Sequence, residues 1–256
     1  MLDLNKTELF VHKLVDKSGE EIRKHFRNID NIVTKEDKSP VTIADKNAEQ
    51  ILRDMIISAY PDHGITGEEF GSININARYK WIIDPIDGTL SFMIGRPIFG
   101  TLLALLDNGK PIVSVIDQPI NKERWIASVD NGCKFNGNLV KTRKCMDISN
   151  AVIATTSLDY FNTNKKKNFY NLSKSAKHVV YGGDCYLYAL IASGFLDLAI
   201  DSCLKAHDFL PIIPIIEEAG GIITDWQGEK LNQNSIGDII ISGDINIHKQ
   251  AIKLLQ

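Results

Sequence analysis

The chain has 256 residues, of which 44% are hydrophobic and 24% charged, proportions typical of a soluble globular protein with one large domain or two small ones. A formal net charge of −3 without a basic patch argues against a nucleic-acid partner, and there is no basic amphipathic helix for a membrane surface. The sequence shows neither a signal peptide nor an apolar run long enough to span a membrane, so we expect a cytoplasmic protein. The four cysteines lack C-x-x-C spacing, which favours reduced thiols.

The first half of the chain is predicted to begin with two helices. Apolar residues at helical spacing run from 11 to 26, and a second such pattern starts at Thr42 and ends before Pro61. Between them the charged, turn-rich segment 34–40 is predicted to be a mobile loop beside a site. Asn108-Gly109 is a strong hairpin signal. Three strands of one sheet are therefore expected around it and after it: residues 99–106, 110–116 and 123–128.

The second half is predicted to alternate strands with helices. The strands are expected at 152–155, 196–200, 222–224 and 238–242, and the helices at 185–194 and 211–219. A boundary near 147–151 divides the chain into two packed halves, 1–148 and 149–256, with the site between them. The basic run Lys165-Lys166-Lys167 lies among Asn and Thr, which predicts a solvated loop.

The most informative stretch, residues 81–89, places two carboxylates three positions apart at the end of an apolar, β-prone run. A strand would deliver Asp84 at its C-terminal end, where α/β sheets usually bind ligands, and the following proline would help return Asp87 to the same point. A helix beginning at Gly88 or Thr89 would direct free N–H groups at an anion. Oxygen ligands beside an anion cradle indicate Mg²⁺ and phosphate. The same D-P-x-D-G pattern is also typical of an ordinary turn.

Other acids provide context for that motif. Glu68 and Glu69 stand between glycines at an expected strand-to-loop junction, although such a pair is often only a solvated loop. Asp45 follows Thr42 in a helix-start pattern and is either a site residue or a cap. Asp208 lies far downstream. Acids gathered at one point repel one another unless a cation balances them, which favours a metal site.

The chain resembles the inositol monophosphatase family of Mg²⁺-dependent, lithium-sensitive phosphomonoesterases. The resemblance covers roughly residues 30–245 and is carried by motifs in the family's order and spacing. These are W-x-x-D-P-x-D-G-T at 81–89, G-E-E at 67–69, V-T-x-x-D at 41–45 with Lys35 upstream, and E-A-G-G at 218–221. A further W-D-x-A-G signature is matched only at Asp208. The resemblance implies an α/β layered sandwich, αβαβα, like that of the inositol monophosphatases and fructose-1,6-bisphosphatases.

Within the family, the chain is most similar to the histidinol-phosphatase branch. The similarity lies in long phrases such as DPIDGTLSFMIGRPIFGTLLALLDNG and GGDCYLYALIASGFLDLAID. Two departures stand out. Residues 205–208 are K-A-H-D where that branch commonly has K-P-Y-D, and Asp201 stands where relatives carry a longer, substrate-contacting glutamate. Both leave the metal ligands in place and bear on the identity of the alcohol.

The resemblance also implies the cofactor, two or three Mg²⁺ ions. A pair of ions about 3.5–4 Å apart clamps the attacking and leaving oxygens of a phosphoryl group. Two ligand sets that share Asp84 are implied: Glu68, Asp84 and the carbonyl of Ile86 for one ion, and Asp84, Asp87 and Asp208 for the other. Glu69 would lie in the outer shell or on a third ion.

The catalytic and phosphate-binding roles are implied in the same way. Glu68 and Thr89 would orient the attacking water, with Thr89 itself held by Asp45. Asp87, Gly88 and Thr89 would contact the substrate, the last two through backbone N–H groups that bind phosphate oxygens.

The second half is expected to form the pocket for the alcohol. Asp184 and Asp201 suit a cationic or polyhydroxyl leaving group such as the amino alcohol histidinol. Each has an alternative, because Asp184 could simply cap the helix near Cys185 and Asp201 could simply end a strand. His207 could be a general acid, a substrate contact or a surface histidine.

The predicted function is therefore hydrolysis of a small phosphorylated metabolite, with histidinol phosphate as the first substrate. Inositol-1-phosphate or another sugar-alcohol monophosphate is the second choice, and a 3′(2′),5′-bisphosphate nucleotide the third. A metabolite-binding protein without turnover is disfavoured because the complete ligand set is present. The family usually pairs as homodimers, and the apolar residues between Ile98 and Ile116 are expected near such an interface.

Overall fold

The computed structural model describes residues 2–28, 32–34 and 40–256. Residues 35–39 of the expected mobile loop, with Lys35, lie outside the described residues. The helices of the described ranges are α1 Leu4–His25, α2 Ile43–Ala59, α3 Thr89–Met93, α4 Thr163–Ser175, α5 Asp184–Ala192, α6 Ala206–Phe209, α7 Ile212–Glu218 and α8 Ile245–Leu255.

The strands form three sheets. A small sheet pairs β1 Ile32–Thr34 with β2 Pro40–Thr42. The larger sheets contain, in chain order, β3 Gly64–Gly67, β4 Gly71–Ile73, β5 Tyr79–Asp87, β6 Gly100–Asp107, β7 Lys110–Gln118, β8 Glu123–Ser128, β9 Cys133–Phe135, β10 Asn138–Leu139, β11 Val152–Thr155, β12 His178–Tyr181, β13 Leu198–Asp201, β14 Ile222–Asp225 and β15 Ile239–Ser242. Their spatial orders are β10-β9-β8-β7-β6-β5-β3-β4 and β12-β11-β13-β15-β14.

These elements stack in five layers. Helices α1 and α2 cover the outer face of the eight-stranded sheet, and α5 and α7 fill the space between the two large sheets. Helices α4 and α8 cover the outer face of the five-stranded sheet. The expected αβαβα sandwich is confirmed. Because α5 and α7 pack against both sheets, the two halves of the chain share one core, and the expected boundary falls in a 3₁₀ turn at 148–150.

The outer helices follow directly from local sequence patterns. Helix α1 buries Val11, Leu14 and Ile22 on one face, and each of these side chains is at most 1% exposed. Helix α2 begins with a capping box, in which the Thr42 side chain accepts from the Asp45 N–H and the Asp45 carboxylate accepts from the Thr42 N–H. No helix in the described part of the chain is long and apolar enough to cross a membrane.

The central strand β5 carries the motif at 81–89. Trp81 and Ile83 pack against the outer helices, and Ile82 belongs to the core between the sheets. By this alternation Asp84 faces the inner layer. The register with β6 shifts between Asp84 and Asp87, so the strand bulges where proline can donate no ladder hydrogen bond.

Most predicted elements are confirmed within a few residues, including the hairpin at Asn108-Gly109, whose two residues have φ of 48° and 81°. The prediction of a solvated loop at Lys165–Lys167 is wrong, because these residues lie in α4. The Lys165 ammonium pairs with Asp238 at 2.7 Å. Helix α8 was also missed, and its N-cap Asp244 with the apolar face at 247, 251 and 255 was the available signal.

The strands expected near a dimer interface contribute to the core. Strands β6 and β7 are central in the eight-stranded sheet, and their apolar side chains, including Leu103, Leu105 and Val115, are fully buried. The homodimer and the place of its interface stay predictions.

Candidate metal and phosphate site

A cavity of about 250 Å³ lies where β5, α3, α5 and α6 meet. It is lined by nearly all of the residues that the sequence singled out: Glu68, Asp84, Ile86, Asp87, Gly88, Thr89, Asp184, Asp201, His207 and Asp208. Carboxylate oxygens of Asp84, Asp87 and Asp208 lie within 4.8 Å of one another, and ligand atoms of Glu68, Asp84 and His207 form a second such group. The structure thus brings together acids that are far apart in sequence.

The parallel pairing of β3 with β5 places Glu68 beside Asp84. Gly67 pairs with Ile83, and the next N–H, that of Glu68, donates to the Ile83 carbonyl at 3.1 Å. Glu68, which directly follows β3, is therefore a neighbour of Asp84 on β5.

The turn after Asp84 is shaped by its own carboxylate, which accepts from the Ile86 N–H at 3.1 Å. Gly88 then adopts a φ of +84° and precedes the first residue of α3, as predicted. A Cβ at Gly88 would lie 2.7 Å from the Asp184 carboxyl group, so both the backbone angle and the close approach require glycine here.

Backbone N–H groups of the second half of the chain orient the other two expected ligands, Asp87 and Asp208. The Cys185 N–H, in the first turn of α5, donates to Asp87 at 2.7 Å. Asp208 lies in α6 and accepts from the Lys205 N–H at 2.7 Å, with the His207 imidazole 3.3 Å from its other oxygen. Both carboxylates are thus oriented by backbone donors from elements between the sheets.

The electrostatics of the cluster indicate a cation. Burial raises the pKa of Asp84 well above its usual value, and the charges of Glu68, Asp87 and Asp208 raise it further. Burial and neighbouring Asp184 likewise raise the pKa of Asp87, and burial raises that of Asp208. Mutual repulsion opposes the simultaneous ionisation of these carboxylates, and a divalent cation would remove that repulsion. The oxygen donors of Asp84, Asp87 and Asp208 suit Mg²⁺.

Asp45 combines the two roles that the sequence left open. One carboxylate oxygen completes the capping box of α2, and the other accepts from the Thr89 hydroxyl at 3.4 Å. The Thr89 hydroxyl also lies 3.2 Å from the Ile86 carbonyl. Burial raises the pKa of Asp45 to about 6, against the opposing effect of the Thr42 hydrogen bonds.

Asp184 is not the cap of α5. The cap is Gly183, which makes no side-chain hydrogen bond, and Asp184 is the first helical residue, with a φ of +48°. Its carboxylate accepts from the Ser91 hydroxyl at 2.6 Å and lines the cavity. Burial raises its pKa, although Ser91 and Arg96 act in the opposite direction.

Asp201 ends β13, and its carboxylate is used inside the protein. It accepts from the Thr155 hydroxyl, from the N–H and hydroxyl of Thr156, and from the Tyr188 hydroxyl, at 2.7–3.3 Å. The side chain is 1% exposed, and burial raises its pKa to about 6. Four donors leave little capacity for a ligand, so a substrate contact by Asp201 stays a prediction that this geometry disfavours.

Sequence reasoning missed several residues of the cavity wall. Leu90, Tyr188 and Lys205 lie inside the phrases compared above but were given no role. The others come from segments without a recognisable motif: Thr156, Tyr160, Ser202, Cys203 and Leu204. Ser91, which holds Asp184, was also missed, and its place one turn into α3 was the only signal. The Tyr160 ring is 55% exposed at the cavity, in a 3₁₀ turn at 158–160.

We expect Mg²⁺ to stabilise the protein more strongly as pH rises. A raised carboxyl pKa means that the metal-free fold is favoured at low pH and loses stability as pH rises from about 4 through the raised values. Mg²⁺ binds the ionised form, so it reverses this loss. The rise in Tm on adding Mg²⁺, relative to EDTA, should be small near about pH 5 and larger near about pH 8. A pH-independent rise would contradict the assigned ligands.

The layered α/β sandwich and an acid-rich cavity that could hold a metal ion, beside the Gly-Thr start of α3, are typical of metal-dependent enzymes that act on phosphate esters. The comparisons agree with this class. The sequence model of the inositol monophosphatase family matches residues 3–256, and the chain belongs to that family of phosphatases, which is in general Mg²⁺-dependent.

Individual relatives cover nearly the same span. The chloroplastic bifunctional phosphatase IMPL2 of Arabidopsis thaliana is 45% identical over 99% of this chain and 76% of its own length. A histidinol-phosphatase of Chlorobaculum parvum is 34% identical over 85% of each chain. The structure of an inositol monophosphatase from Zymomonas mobilis superposes with a TM-score of 0.91 at 39% identity, covering 100% of this chain and 99% of that one.

Proposed function

We propose that the protein is a Mg²⁺-dependent phosphomonoesterase whose substrate is histidinol phosphate. The choice of histidinol phosphate rests on the acidic residues that line the cavity in addition to the expected metal ligands. Among the lining residues that the structure describes, Lys205 is the only lysine or arginine, whereas Asp184 adds a carboxylate that none of the expected metal sets uses. A leaving group with an ammonium charge suits such a wall. The histidinol-phosphatase of Chlorobaculum parvum supports the same choice.

The metal would be held by the two expected ligand sets, which meet at Asp84. When bound, Mg²⁺ supplies charge neutralisation for the phosphate and lowers the pKa of water. The protein's own part is to aim that water. Glu68 and the Thr89 hydroxyl would orient it, and its proton would pass along Thr89 toward the Asp45 carboxylate, which already accepts from that hydroxyl. A carboxylate whose pKa is raised to about 6 is a stronger base than a surface aspartate.

The phosphate would sit at the start of α3. The backbone N–H groups of Gly88 and Thr89 lie in the turn that precedes the first complete helical hydrogen bonds, where donors lack intrahelical acceptors. Gly88 lines the cavity, and its missing side chain lets the backbone approach the ligand.

The alcohol would extend toward Asp184 and Tyr160. Asp184 is fixed by Ser91 and would receive the ammonium group of histidinol. The exposed face of Tyr160 offers a flat surface for the imidazole ring. Inositol, which is neutral and lacks a ring of this kind, would use neither contact fully.

A comparison of kcat/KM for histidinol phosphate and inositol-1-phosphate tests this function. We expect a clear preference for histidinol phosphate with Mg²⁺ and no phosphate release from either ester in EDTA. Preference for inositol-1-phosphate would overturn the substrate, and release in EDTA would overturn the metal dependence.

Inositol-1-phosphate is the second candidate, because the Zymomonas mobilis inositol monophosphatase shares the fold over the full length of both chains. The pairing of the protein as a homodimer and its inhibition by Li⁺ are further proposals from the family resemblance.

A further inference from the structure

Glu49 is a buried carboxylate that the mechanism above does not use. It lies on α2 one turn after Asp45, and its side chain is 0% exposed. The Arg53 guanidinium donates to it at 2.7 Å from the next turn of the same helix. A buried ion pair within a helix is by itself weak evidence of any role, because desolvation offsets the attraction.

The other partners of Glu49 lie in the loop that carries Glu68. The Glu69 N–H donates to Oε2 of Glu49 at 2.8 Å, and the Phe70 N–H donates to Oε1 at 3.2 Å. Arg53 extends the same connection, because its Nη2 donates to the Gly71 carbonyl. The two backbone groups that directly follow Glu68 are thus held by one side chain of α2.

Gly67, the residue before Glu68, completes this arrangement. A Cβ at position 67 would overlap the Glu49 carboxylate, so the carboxylate occupies the space that glycine leaves free. On its other side the loop is tied to β5, since the Glu68 N–H donates to the Ile83 carbonyl. The Glu68 backbone is therefore fixed between the central strand and α2.

We infer that Glu49 is a positioning residue for the metal ligand Glu68. Its carboxylate sets the path of residues 67–70 and so places the Glu68 side chain beside Asp84. This inference rests on the proposed Mg²⁺ site but is independent of the identity of the alcohol. It assigns Arg53 and Gly67 a supporting part, one by orienting the carboxylate and the other by leaving room for it.

The test is Mg²⁺ binding by Glu49→Gln, measured by calorimetry on EDTA-treated protein without substrate. The amide presents one acceptor oxygen, so one of the two loop N–H groups or Arg53 loses its partner. We expect Mg²⁺ affinity to fall about 10–100-fold, the usual loss when an outer-shell partner of a metal ligand is removed. At saturating Mg²⁺ kcat should return only in part, because a displaced Glu68 would also orient the attacking water less well.

A matched control is Glu8→Gln. Glu8 is also buried and pairs with Lys134 at 2.8 Å and with Ser128, but it lies at the end of the sheet away from the cavity. The Glu8→Gln substitution should lower Tm and leave Mg²⁺ affinity unchanged. If Glu49→Gln behaves in the same way, Glu49 is only a structural ion pair and the inference fails.

Gly67→Ala approaches the same contact from the loop and keeps the experiment decisive if Glu49→Gln folds poorly. It should weaken Mg²⁺ binding in the same direction, and the double variant should lose less affinity than the product of the single losses, because both disturb one contact. Normal Mg²⁺ affinity in Gly67→Ala, or fully multiplicative losses, would contradict the inference. If the wild-type protein binds Mg²⁺ but does not hydrolyse histidinol phosphate, only the proposed substrate is rejected, and the inference about Glu49 is not affected.

Discussion

Replacing Asp87 by asparagine is expected to reduce kcat/KM by more than about a hundredfold while the fold survives, since even outer-shell partners of a metal are worth about 10–100-fold. The substitution removes the charge expected to bind the metal, with almost no change in volume. Asparagine keeps an oxygen that can accept from the Cys185 N–H, the contact that ties Asp87 to α5. Loss of one buried charge also relieves repulsion from Asp184 and Asp208, so the metal-free variant should be at least as stable as the wild type.

Phosphate release at saturating Mg²⁺, circular dichroism and Tm in EDTA together measure this effect. Asp107→Asn is the matched control, because Asp107 pairs with Arg78 at the surface end of the β6–β7 hairpin. It makes the same chemical change far from the cavity and should leave turnover intact. Unchanged activity in a well-folded Asp87→Asn protein would remove Asp87 from the metal site.

Asp184→Asn is expected to change substrate choice. A charge-assisted hydrogen bond to the ammonium group of histidinol is worth about 1.5–3 kcal/mol. Its loss should lower kcat/KM for histidinol phosphate by roughly tenfold to a hundredfold. Hydrolysis of an aryl phosphate without an ammonium group should change less, because asparagine keeps the shape of the side chain beside Gly88 and Asp87 and removes only its charge. The Ser91 hydroxyl can still donate to the asparagine oxygen, so the side chain should keep its place.

Asp201→Asn separates a substrate contact from a structural one. The amide cannot accept from all the hydroxyl and N–H donors around Asp201, and a buried donor without a partner costs about 1–3 kcal/mol. We therefore expect a lower Tm and similar losses of kcat/KM for histidinol phosphate and the aryl phosphate. A selective loss for histidinol phosphate would restore Asp201 as the contact, and equal losses in Asp184→Asn would remove Asp184 from that role.

Much of the metal site was predictable because its information is local. The apolar residues ending at Asp84 predicted a strand, and Gly88-Thr89 predicted a helix start, and the structure has both. The same holds for the capping box of Thr42 and Asp45 and for the hairpin at Asn108-Gly109. In each case the side chain interacts with backbone a few residues away. The bulge between Asp84 and Asp87 was not predicted.

The errors share the opposite property. Lys165 appeared to be a loop lysine because its partner, Asp238, lies 73 residues later in the chain. Composition likewise cannot show that the apolar side chains of β6 and β7 are buried in the core, which only the sheet order reveals. Glu49 carried no signal at all, since its role depends on a loop 20 residues away.

The motifs of the sequence by itself indicated the family, and the layered fold and the acids expected to bind metal followed from that resemblance. Periodicity and short patterns determined the local strands, turns and caps, because these depend on nearby backbone. Only the tertiary structure decided how each acid is used. Asp184 is turned into the cavity by Ser91, whereas Asp201 is consumed by donors from β11 and α5, although both are aspartates in the same expected pocket. The physical reason is that a carboxylate's free capacity depends on which donors the packed elements bring to it, and those donors come from distant parts of the chain.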